Sequence, residues 1–298
     1  MKRLKDILPY LGIVLGLAIL AYYPVTEAVD AYRRSQVSLD VATAVTSADD
    51  EDVEYLLTQA EAYNAVLAGL EPEIDADEIL DYDLQLSLTG TNSSFATLVI
   101  PCISLEMPIY HGTDDAVLSA GAGHVEGTSL PVGGASTHCM ICGHSGLQGM
   151  SAFDNLTDLV EGDVVGIEVL GLTLCYEVFD TITVEPDEAY DYIGIEEGSD
   201  LLTLMTCVPY GVNTHRLLVR CVRCEVPDWW DEESDISVAE ATAASGRIWP
   251  FLIAVAALLV LLVVMLVRRH RRKGGNDTGG GGAGGDGYTP RHMAASSP

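Results

Sequence analysis

The residues best suited to chemistry in this sequence are a cysteine and an arginine on either side of a short loop. Cys207 follows residues 201–206, an apolar run with β-branched residues that is typical of a buried strand. Turn-forming residues end that run, and a second strand-like run begins at Arg216. A thiolate is a nucleophile, and a guanidinium donates hydrogen bonds to anionic oxygen. The pattern predicts that the two face each other, although a cysteine after an apolar run can also be inert core.

Acyl transfer at a cysteine also needs a group that carries the proton. Histidine is the side chain that most often does so. Residues 24–246 contain five histidines: His111, His124, His138, His144 and His215. The residues alone do not select one, because each could equally be a hydrogen-bonded structural histidine.

The two strand-like runs together resemble the signature of the sortase family. Thr203-Leu-Met-Thr-Cys207, followed nine residues later by Arg216, is similar to the TLxTC strand end of that family and its arginine. The loop sequence Pro-Tyr-Gly-Val-Asn-Thr-His-Arg resembles the pilus-assembling class C sortases more than the housekeeping ones. The resemblance covers about residues 97–223, together with the flanking helix and the two predicted anchors. It selects His144, which follows a glycine after the predicted strand 136–142.

The resemblance implies a fold, a reaction and a set of catalytic residues. The fold is mainly β, a sortase-like eight-stranded barrel with short helices. In the reaction, Cys207 attacks the Thr–Gly bond of an LPxTG-like sorting signal and His144 protonates the leaving amine. Arg216 offers hydrogen-bond donors to the developing oxyanion or to the substrate backbone. A lysine amine of a pilin resolves the thioester. The expected partners are pilins or surface proteins that carry such signals, and the scheme requires neither a metal nor an organic cofactor.

Two departures from the family pattern concern the site. Ser145 stands where the family often has an arginine, so a local salt bridge is expected to be missing. Class C sortases carry a lid between the N-terminal helix and the barrel, typically with an Asp-Pro-aromatic triplet. Residues 71–95 contain no such triplet, and Asp81-Tyr82 is the nearest approximation. We expect a loop there, with a candidate lid that lacks its usual anchor.

Charge is distributed unevenly over the 298 residues, whose formal net charge is −29. Between Tyr23 and Arg247 there are 41 acidic residues, five arginines and no lysine. This composition argues against nucleic acid as a partner, because neutralising phosphates requires lysine and arginine. It also prevents this region from serving as its own lysine acceptor.

The cysteines bear on both metal binding and disulfides, and there are seven: Cys102, Cys139, Cys142, Cys175, Cys207, Cys221 and Cys224. An odd number leaves at least one free thiol, which we assign to Cys207. Two CxxC pairs, 139/142 and 221/224, could suggest a four-thiolate zinc site. Both pairs lie in predicted strands, where residues three apart point to opposite faces, so no metal site is predicted. A disulfide among the other six cysteines stays open.

Two apolar segments predict anchors in the lipid bilayer. Residues 7–23 carry no charge and follow a basic N-terminus, and no A-x-A cleavage site ends them. Residues 248–267 have the length of a membrane span and precede five basic residues, against the single Arg247 before them. Because positive charge favours the cytoplasmic side, both termini are predicted to be cytoplasmic. The intervening catalytic region is then extracellular, at the cell membrane.

The predicted domain order follows from these segments. It runs through a cytoplasmic N-terminus (1–6), a transmembrane anchor (7–23), a helical flank with the candidate lid (24–95), the sortase barrel (96–224), an acidic tether (225–247), a second transmembrane helix (248–267) and a basic, then glycine-rich cytoplasmic tail (268–298). Apolar residues at helical spacing predict one helix over 47–70. A hairpin about Gly171 is predicted to join strands 163–170 and 172–179, with 181–184 as a separate strand.

Three other functions are compatible with the residues. A housekeeping sortase would pass the acyl group to a cell-wall precursor instead of a pilin. A membrane cysteine protease would use water as the acceptor. A non-catalytic membrane-tethered barrel would only bind cell-surface proteins, and its function would survive replacement of Cys207 by alanine.

Overall fold

The computed structural model describes residues 36–88, 90, 93–146 and 153–230, with isolated positions before residue 36. Nearly all of them belong to one compact unit, residues 19–249, and the other unit, 1–18 and 250–298, lies almost wholly outside the described part. The predicted C-terminal anchor and tail, and most of the N-terminal anchor and the tether, therefore lie outside the described residues. Within the described part, no helix combines the length and the apolarity that a membrane crossing requires.

The described chain forms a closed barrel of eight strands, which confirms the predicted mainly-β, eight-stranded barrel. The strands are β1 (Ala96–Ile100), β2 (Leu105–His111), β3 (Ala122–His124), β4 (Thr137–Cys142), β5 (Val164–Val169), β6 (Leu172–Val184), β7 (Asp200–Val208) and β8 (His215–Cys224). Their order around the barrel is β1-β2-β3-β4-β7-β8-β6-β5. Neighbours are antiparallel except β2 with β3 and β4 with β7, which are parallel. Closure leaves no unpaired strand edge, which is how such barrels avoid edge-to-edge association.

Alternation of side chains along the strands divides the apolar residues between two cores. Leu202 and Leu204 of β7 are fully buried inside the barrel, in the main cluster. The alternate residues of β7 point outward, and one of them, Met205, packs in a second cluster on the outer face. Cys142 of β4 and Leu218 of β8 belong to that same outer cluster. The period of two in a strand therefore gives the β4-β7-β8 part of the sheet an apolar outer surface as well as an apolar interior.

Strand β6 differs from the prediction. The hairpin about Gly171 is confirmed, because β5 and β6 pair antiparallel on either side of it. The separate strand predicted at 181–184 is wrong, since β6 runs unbroken from Leu172 to Val184. The register with β8 shifts between Val178 and Asp180. This bulge places one extra residue in β6 and interrupts the alternation that a regular strand would show.

The flank contains two described helices. One of them lies within the range 47–70 in which the sequence predicted a helix, and the other precedes it. Residues 36–47 are helical and form α1. Helix α2 spans Asp50–Leu67, with three acidic residues in its first turn, where the helix dipole favours negative charge. On its buried face, the Asn64 side-chain amide donates to the carbonyl oxygen of Leu130 and accepts from its N–H, at 2.9 and 2.7 Å. This two-way contact fixes α2 to the barrel. A short helix α3, Asp115–Ala120, follows β2.

The described residues of the predicted loop at 71–95 are packed on the barrel. They form 3-10 turns at Ala76–Glu78 and Tyr82–Leu84. The Tyr82 hydroxyl accepts from the backbone N–H of Gly112 at 3.0 Å and lies 2.9 Å from Nδ1 of His124. Leu86 is buried. The segment is therefore held by specific contacts.

Candidate active site

Strand register brings the three predicted catalytic residues into one row. Cys207 of β7 lies directly opposite Arg216 of β8. On the other side of β7, Cys142 of β4 lies beside Met205. Continuing that parallel register by two residues places His144 level with Cys207. All three side chains share the outward parity of the strands, and all three line the same cavity.

Three hydrogen bonds hold the segment that carries His144 against the strand that carries Cys207. The backbone N–H of Gly143 donates to the carbonyl oxygen of Met205 at 3.1 Å. The buried Thr206 hydroxyl donates to the carbonyl oxygen of Gly143 at 2.8 Å. The Ser145 hydroxyl donates to the carbonyl oxygen of Cys207. Ser145, which replaces an arginine of the family pattern, thus positions the backbone at the site.

Gly143 is required by packing just before His144. A Cβ at this position would point into the barrel and lie 2.7 Å from Cδ2 and Cγ of Phe153. Phe153 is fully buried in the main core. Glycine therefore allows the chain to continue from the end of β4 past a large aromatic ring and to present His144 on the opposite, outer face.

The cavity has a volume of about 270 Å³ and is walled by segments that the sequence analysis did not identify. One wall is Leu118 of α3. The other is a 3-10 helix, Pro186–Tyr192, which contributes Pro186 and Tyr190. This helix begins with a capping box between Glu185 and Glu188, and the sequence Glu-Pro-Asp-Glu is the signal that could have located it. No residue from the described part of 71–95 is among those that line the cavity.

Arg216 keeps its charge available to the cavity. Its Nη1 donates to the carbonyl oxygens of His215 and Asn213 at 3.2 and 3.4 Å. Among the described residues, no carboxylate forms a salt bridge with it. Arg220, four residues on along the same face, is by contrast 3.3 Å from a carboxylate oxygen of Asp180 and stacks on a phenylalanine ring. In a region rich in acidic residues, Arg216 is thus a partly buried cation that no described carboxylate neutralises.

Two thiols border the cavity, and they differ in environment. Cys142 is buried, and burial, with a smaller contribution from the neighbouring Cys207, raises the pKa of its thiol to about 12. A thiol with such a pKa remains protonated and is a poor nucleophile. Cys207 is more exposed and is the residue paired with Arg216. Of the two, Cys207 is the one placed for nucleophilic attack.

The other four candidate histidines have structural environments. His111, His124 and His138 each bond a backbone carbonyl oxygen at 2.8–3.0 Å, and burial lowers the pKa of all three rings. His215 lies 3.3 Å from a glutamate carboxylate, and it points away from the face that carries Arg216. His144 is the only one of the five that lines the cavity beside Cys207. The resemblance selected this same histidine, whose catalytic role stays a prediction.

The CxxC pairs do not converge on a common point. Cys139 and Cys221 are packed inside the barrel, whereas Cys142 and Cys224 pack in clusters on its outer face. The predicted separation of each pair onto opposite faces is therefore correct. In the part of the chain that the structure describes, no group of three or more histidine, cysteine, aspartate or glutamate residues is placed to hold a metal ion.

Comparison with known proteins identifies the barrel. The family model for the sortase domain matches residues 98–224. The structure of sortase C1 from Streptococcus agalactiae is 38% identical, with a TM-score of 0.59, and the match covers 64% of this chain and all of that one (100%). The chain belongs to the sortase family. The resemblance inferred from the TLxTC-like strand end and the loop after it is confirmed.

Two further solved structures extend the likeness of this sortase. Sortase C from Clostridium perfringens, with the C-terminal cell wall sorting motif, is 35% identical at a TM-score of 0.57, over 64% of this sortase and 99% of that chain. A lid mutant of sortase A from Corynebacterium diphtheriae is 39% identical at a TM-score of 0.55, over 60% and 97% of the two chains. The comparison with curated protein sequences gives no match. The streptococcal and clostridial relatives are class C sortases, and this sortase is a cysteine transpeptidase of the same family.

Proposed function

We propose that this sortase joins pilin subunits, cleaving an LPxTG-like sorting signal through a thioester on Cys207 and passing the acyl group to a pilin lysine. The observation that carries the proposal is the row of His144, Cys207 and Arg216 across three neighbouring strand ends, facing one cavity. The relatives named sortase C, one of them with a sorting motif, support the same substrate class.

In the acylation step, the thiol of Cys207 gives its proton to His144, and its sulfur attacks the threonine carbonyl carbon of the sorting signal. The oxygen that becomes negatively charged is stabilised by the guanidinium of Arg216, whose charge no described carboxylate neutralises. His144 then gives a proton to the glycine nitrogen as the Thr–Gly bond breaks. The products are a thioester on Cys207 and the released C-terminal segment.

In the transfer step, the thioester reacts with an amine. His144 takes the proton from the attacking lysine, the tetrahedral intermediate collapses, and the thiol of Cys207 is regenerated. Because residues 24–246 contain no lysine, the acceptor must come from another protein, and self-acylation in this region is avoided. The acidic surface attracts a protonated lysine side chain over distances of about a Debye length. When no amine is present, water resolves the thioester, and the sorting signal is hydrolysed.

We also propose that the barrel lies outside the cell membrane, between anchors at 7–23 and 248–267. The length and apolarity of the second segment, and the five basic residues after it, support this placement. It brings the cavity to the side of the membrane on which exported pilins emerge.

Trapping the thioester tests the proposal. The full-length chain is incubated with an LPxTG-containing peptide, denatured in acid, and analysed by intact mass and by peptide mapping. We expect an acyl adduct on Cys207 that hydroxylamine removes, and an amide product when a pilin-derived lysine peptide is added. Cys207→Ala should abolish both products, whereas Cys102→Ala, which removes an exposed thiol elsewhere, should leave both unchanged. An adduct that maps to Cys142, or product formation by Cys207→Ala, would refute the assignment.

A housekeeping role is the second candidate, and the likeness to a protein named sortase A favours considering it. The two roles differ in the acceptor of the acyl group. With pilin subunits present, a pilus-assembling enzyme yields a ladder of covalent polymers in denaturing gels. A housekeeping enzyme yields single subunits linked to cell-wall fragments.

A further inference from the structure

We propose that Cys175 and Cys224 form a disulfide that fastens the last strand of the barrel to β6. The two residues lie directly opposite each other in the antiparallel pair of β6 and β8. Both side chains point to the outer face, where Cys224 packs against the cluster that contains Cys175. The inference rests on the extracellular placement in the proposed function, because disulfides form and persist in oxidising compartments.

Both cysteines are free thiols in the structure, and their register is compatible with the distance requirement of a disulfide. Opposed residues in antiparallel strands have Cα atoms about 4.5–5.5 Å apart, within the range of roughly 4.4–6.8 Å found in disulfides. Cys142 and Cys207, the other two thiols that share a surface, are staggered by two residues on parallel strands. Such diagonal neighbours lie about 7–8 Å apart, beyond the limit for bridging without backbone movement. The geometry thus favours the pair at 175 and 224 and leaves Cys207 free.

The surroundings of this pair protect it from reductants. Val99, Gly166, Cys175 and Cys224 form a continuous row of opposed residues across β1, β5, β6 and β8. The indole of Trp230 covers the row and leaves no room for a side chain at Gly166. Cys175 and Trp230 are both buried, whereas Cys224 is half-buried. A bond formed here is therefore shielded on one side by Trp230 and on the other by the sheet.

The difference in exposure sets the order of the reaction. The oxidant is an external disulfide, either of a thiol–disulfide oxidoreductase or of a small thiol. The thiolate of Cys224 attacks one of its sulfurs, and the other sulfur leaves as a thiolate. Cys175, whose pKa is raised to about 12 chiefly by burial, then loses its proton and attacks the Cys224 sulfur, and the second thiolate leaves. In sum, two protein thiols lose two protons and two electrons, and the external disulfide takes them up as two thiols.

The bond would close a loop that contains part of the active site. Residues 175–224 include the whole of β7, with Cys207, and Arg216 of β8. Cross-linking the ends of this loop removes conformational freedom from the unfolded chain. The disulfide would also stabilise β8 next to the point at which the chain leaves the barrel.

Peptide mapping tests the bond itself. The full-length chain is exported in an oxidising host, or treated with oxidised glutathione, and its free thiols are blocked with N-ethylmaleimide before digestion without reductant. We expect a cross-linked peptide pair that joins Cys175 to Cys224, and maleimide on Cys207. Maleimide on both Cys175 and Cys224 after oxidation, or a cross-link of either one to a different cysteine, would overturn the proposal.

Thermal unfolding tests its effect on stability. Reduction of the oxidised chain with dithiothreitol should lower Tm by about 5–15 °C, the range expected when a cross-link over a loop of this length is lost from a domain of this size. Cys224→Ser should have the lower Tm already and should not respond to dithiothreitol. Because the bond is shielded, maleimide labelling of Cys175 and Cys224 first confirms that dithiothreitol has reduced it. A Tm of the oxidised wild-type chain that does not change once the bond is reduced would refute the inference without relying on any variant that might misfold.

The same variant separates this inference from the proposed function. Cys224 lies outside the cavity, so Cys224→Ser should still form the thioester on Cys207 below its Tm. Acylation of Cys207 in Cys224→Ser supports the proposed function and shows that the reaction does not use the thiol of Cys224. Absence of the cross-link in a chain that acylates refutes only the disulfide, and absence of the thioester in a chain that is cross-linked refutes only the proposed function.

Discussion

Replacement of Gly143 by alanine should displace His144 and impair the reaction. The added Cβ would lie 2.7 Å from two atoms of the Phe153 ring and 2.9 Å from a third. Ordinary carbon contacts are about 3.5–4.0 Å, so the two groups must separate by roughly 1 Å. Phe153 is fully buried and cannot retreat into a packed core, so the end of β4 must move instead. Overpacking of this kind costs about 1–3 kcal/mol in the free energy of unfolding.

The effect on catalysis follows from the position of Gly143. It directly precedes His144, and a misplacement of about 1 Å typically costs about 10²-fold in rate. We expect Gly143→Ala to lower kcat/KM for cleavage of a sorting-signal peptide by about that factor, mainly through kcat. Urea unfolding measures the stability loss, and single-turnover acylation measures the chemical step.

A double-variant cycle tests whether Phe153 is the cause. Phe153→Leu removes the ring atoms that the new Cβ would meet, so Gly143→Ala/Phe153→Leu should be more stable than the sum of the two single changes predicts, by about 1–2 kcal/mol. It should also regain part of the lost kcat/KM. Gly194→Ala is the control, since a Cβ there meets nothing within 4 Å. Wild-type kcat/KM in Gly143→Ala, or strict additivity in the cycle, would refute the packing argument.

Three further predictions follow from the site and the core. Arg216→Lys keeps a charge but loses the planar guanidinium group, so kcat/KM should fall about 10²–10³-fold. Arg220→Lys, on the same strand face but outside the cavity, should change kcat/KM less than about threefold. Equal losses in the two variants would contradict the assignment of Arg216 to the site. Burial lowers the pKa of His124 to about 4, so the unfolded chain binds a proton at this residue that the folded chain does not. The contribution of His124 to the free energy of unfolding should therefore fall by about 3 kcal/mol between pH 6.5 and 4. His124→Asn should reduce that slope in urea unfolding, and an unchanged slope would show that another group is responsible. Thr206→Val leaves the buried carbonyl oxygen of Gly143 without its hydroxyl donor and should cost about 1–3 kcal/mol in the free energy of unfolding. It should also lower kcat, and Thr206→Ser, which keeps the hydroxyl, should restore it. A serine variant with the stability and kcat of the valine variant would contradict this.

The sequence was most informative where local patterning and a specific motif coincide. The apolar run before Cys207, the turn residues after it and the run from Arg216 predict the β7–β8 pair, and the register confirms that the two residues face each other. His144 could not be selected by residue physics alone, because its position beside Cys207 depends on the parallel pairing of β4 with β7, which is a tertiary contact. Only the family resemblance supplied that information.

Other features were missed because their sequence signals are short or depend on packing. The 3-10 helix Pro186–Tyr192 has too few residues for an apolar period, so only its capping box marks it. The bulge after Val178 breaks the alternation within β6, and the sequence therefore suggested two strands. The segment around Tyr82 was expected to be a loop. It is ordered by a hydrogen bond to His124, which is buried and distant in sequence, and local sequence does not reveal such a contact.

The pairing of β4 with β7 also governs when the enzyme can become active. Thr206 and Gly143, whose hydrogen bond joins the two strands at the site, are 63 residues apart in the chain. Contacts between residues so distant in sequence form late in folding, because the intervening chain must be ordered first. A nascent chain therefore emerges with its thiol separated from its imidazole, and acyl transfer must await closure of the barrel. The thiol and the imidazole of the site therefore come together only when the barrel is complete.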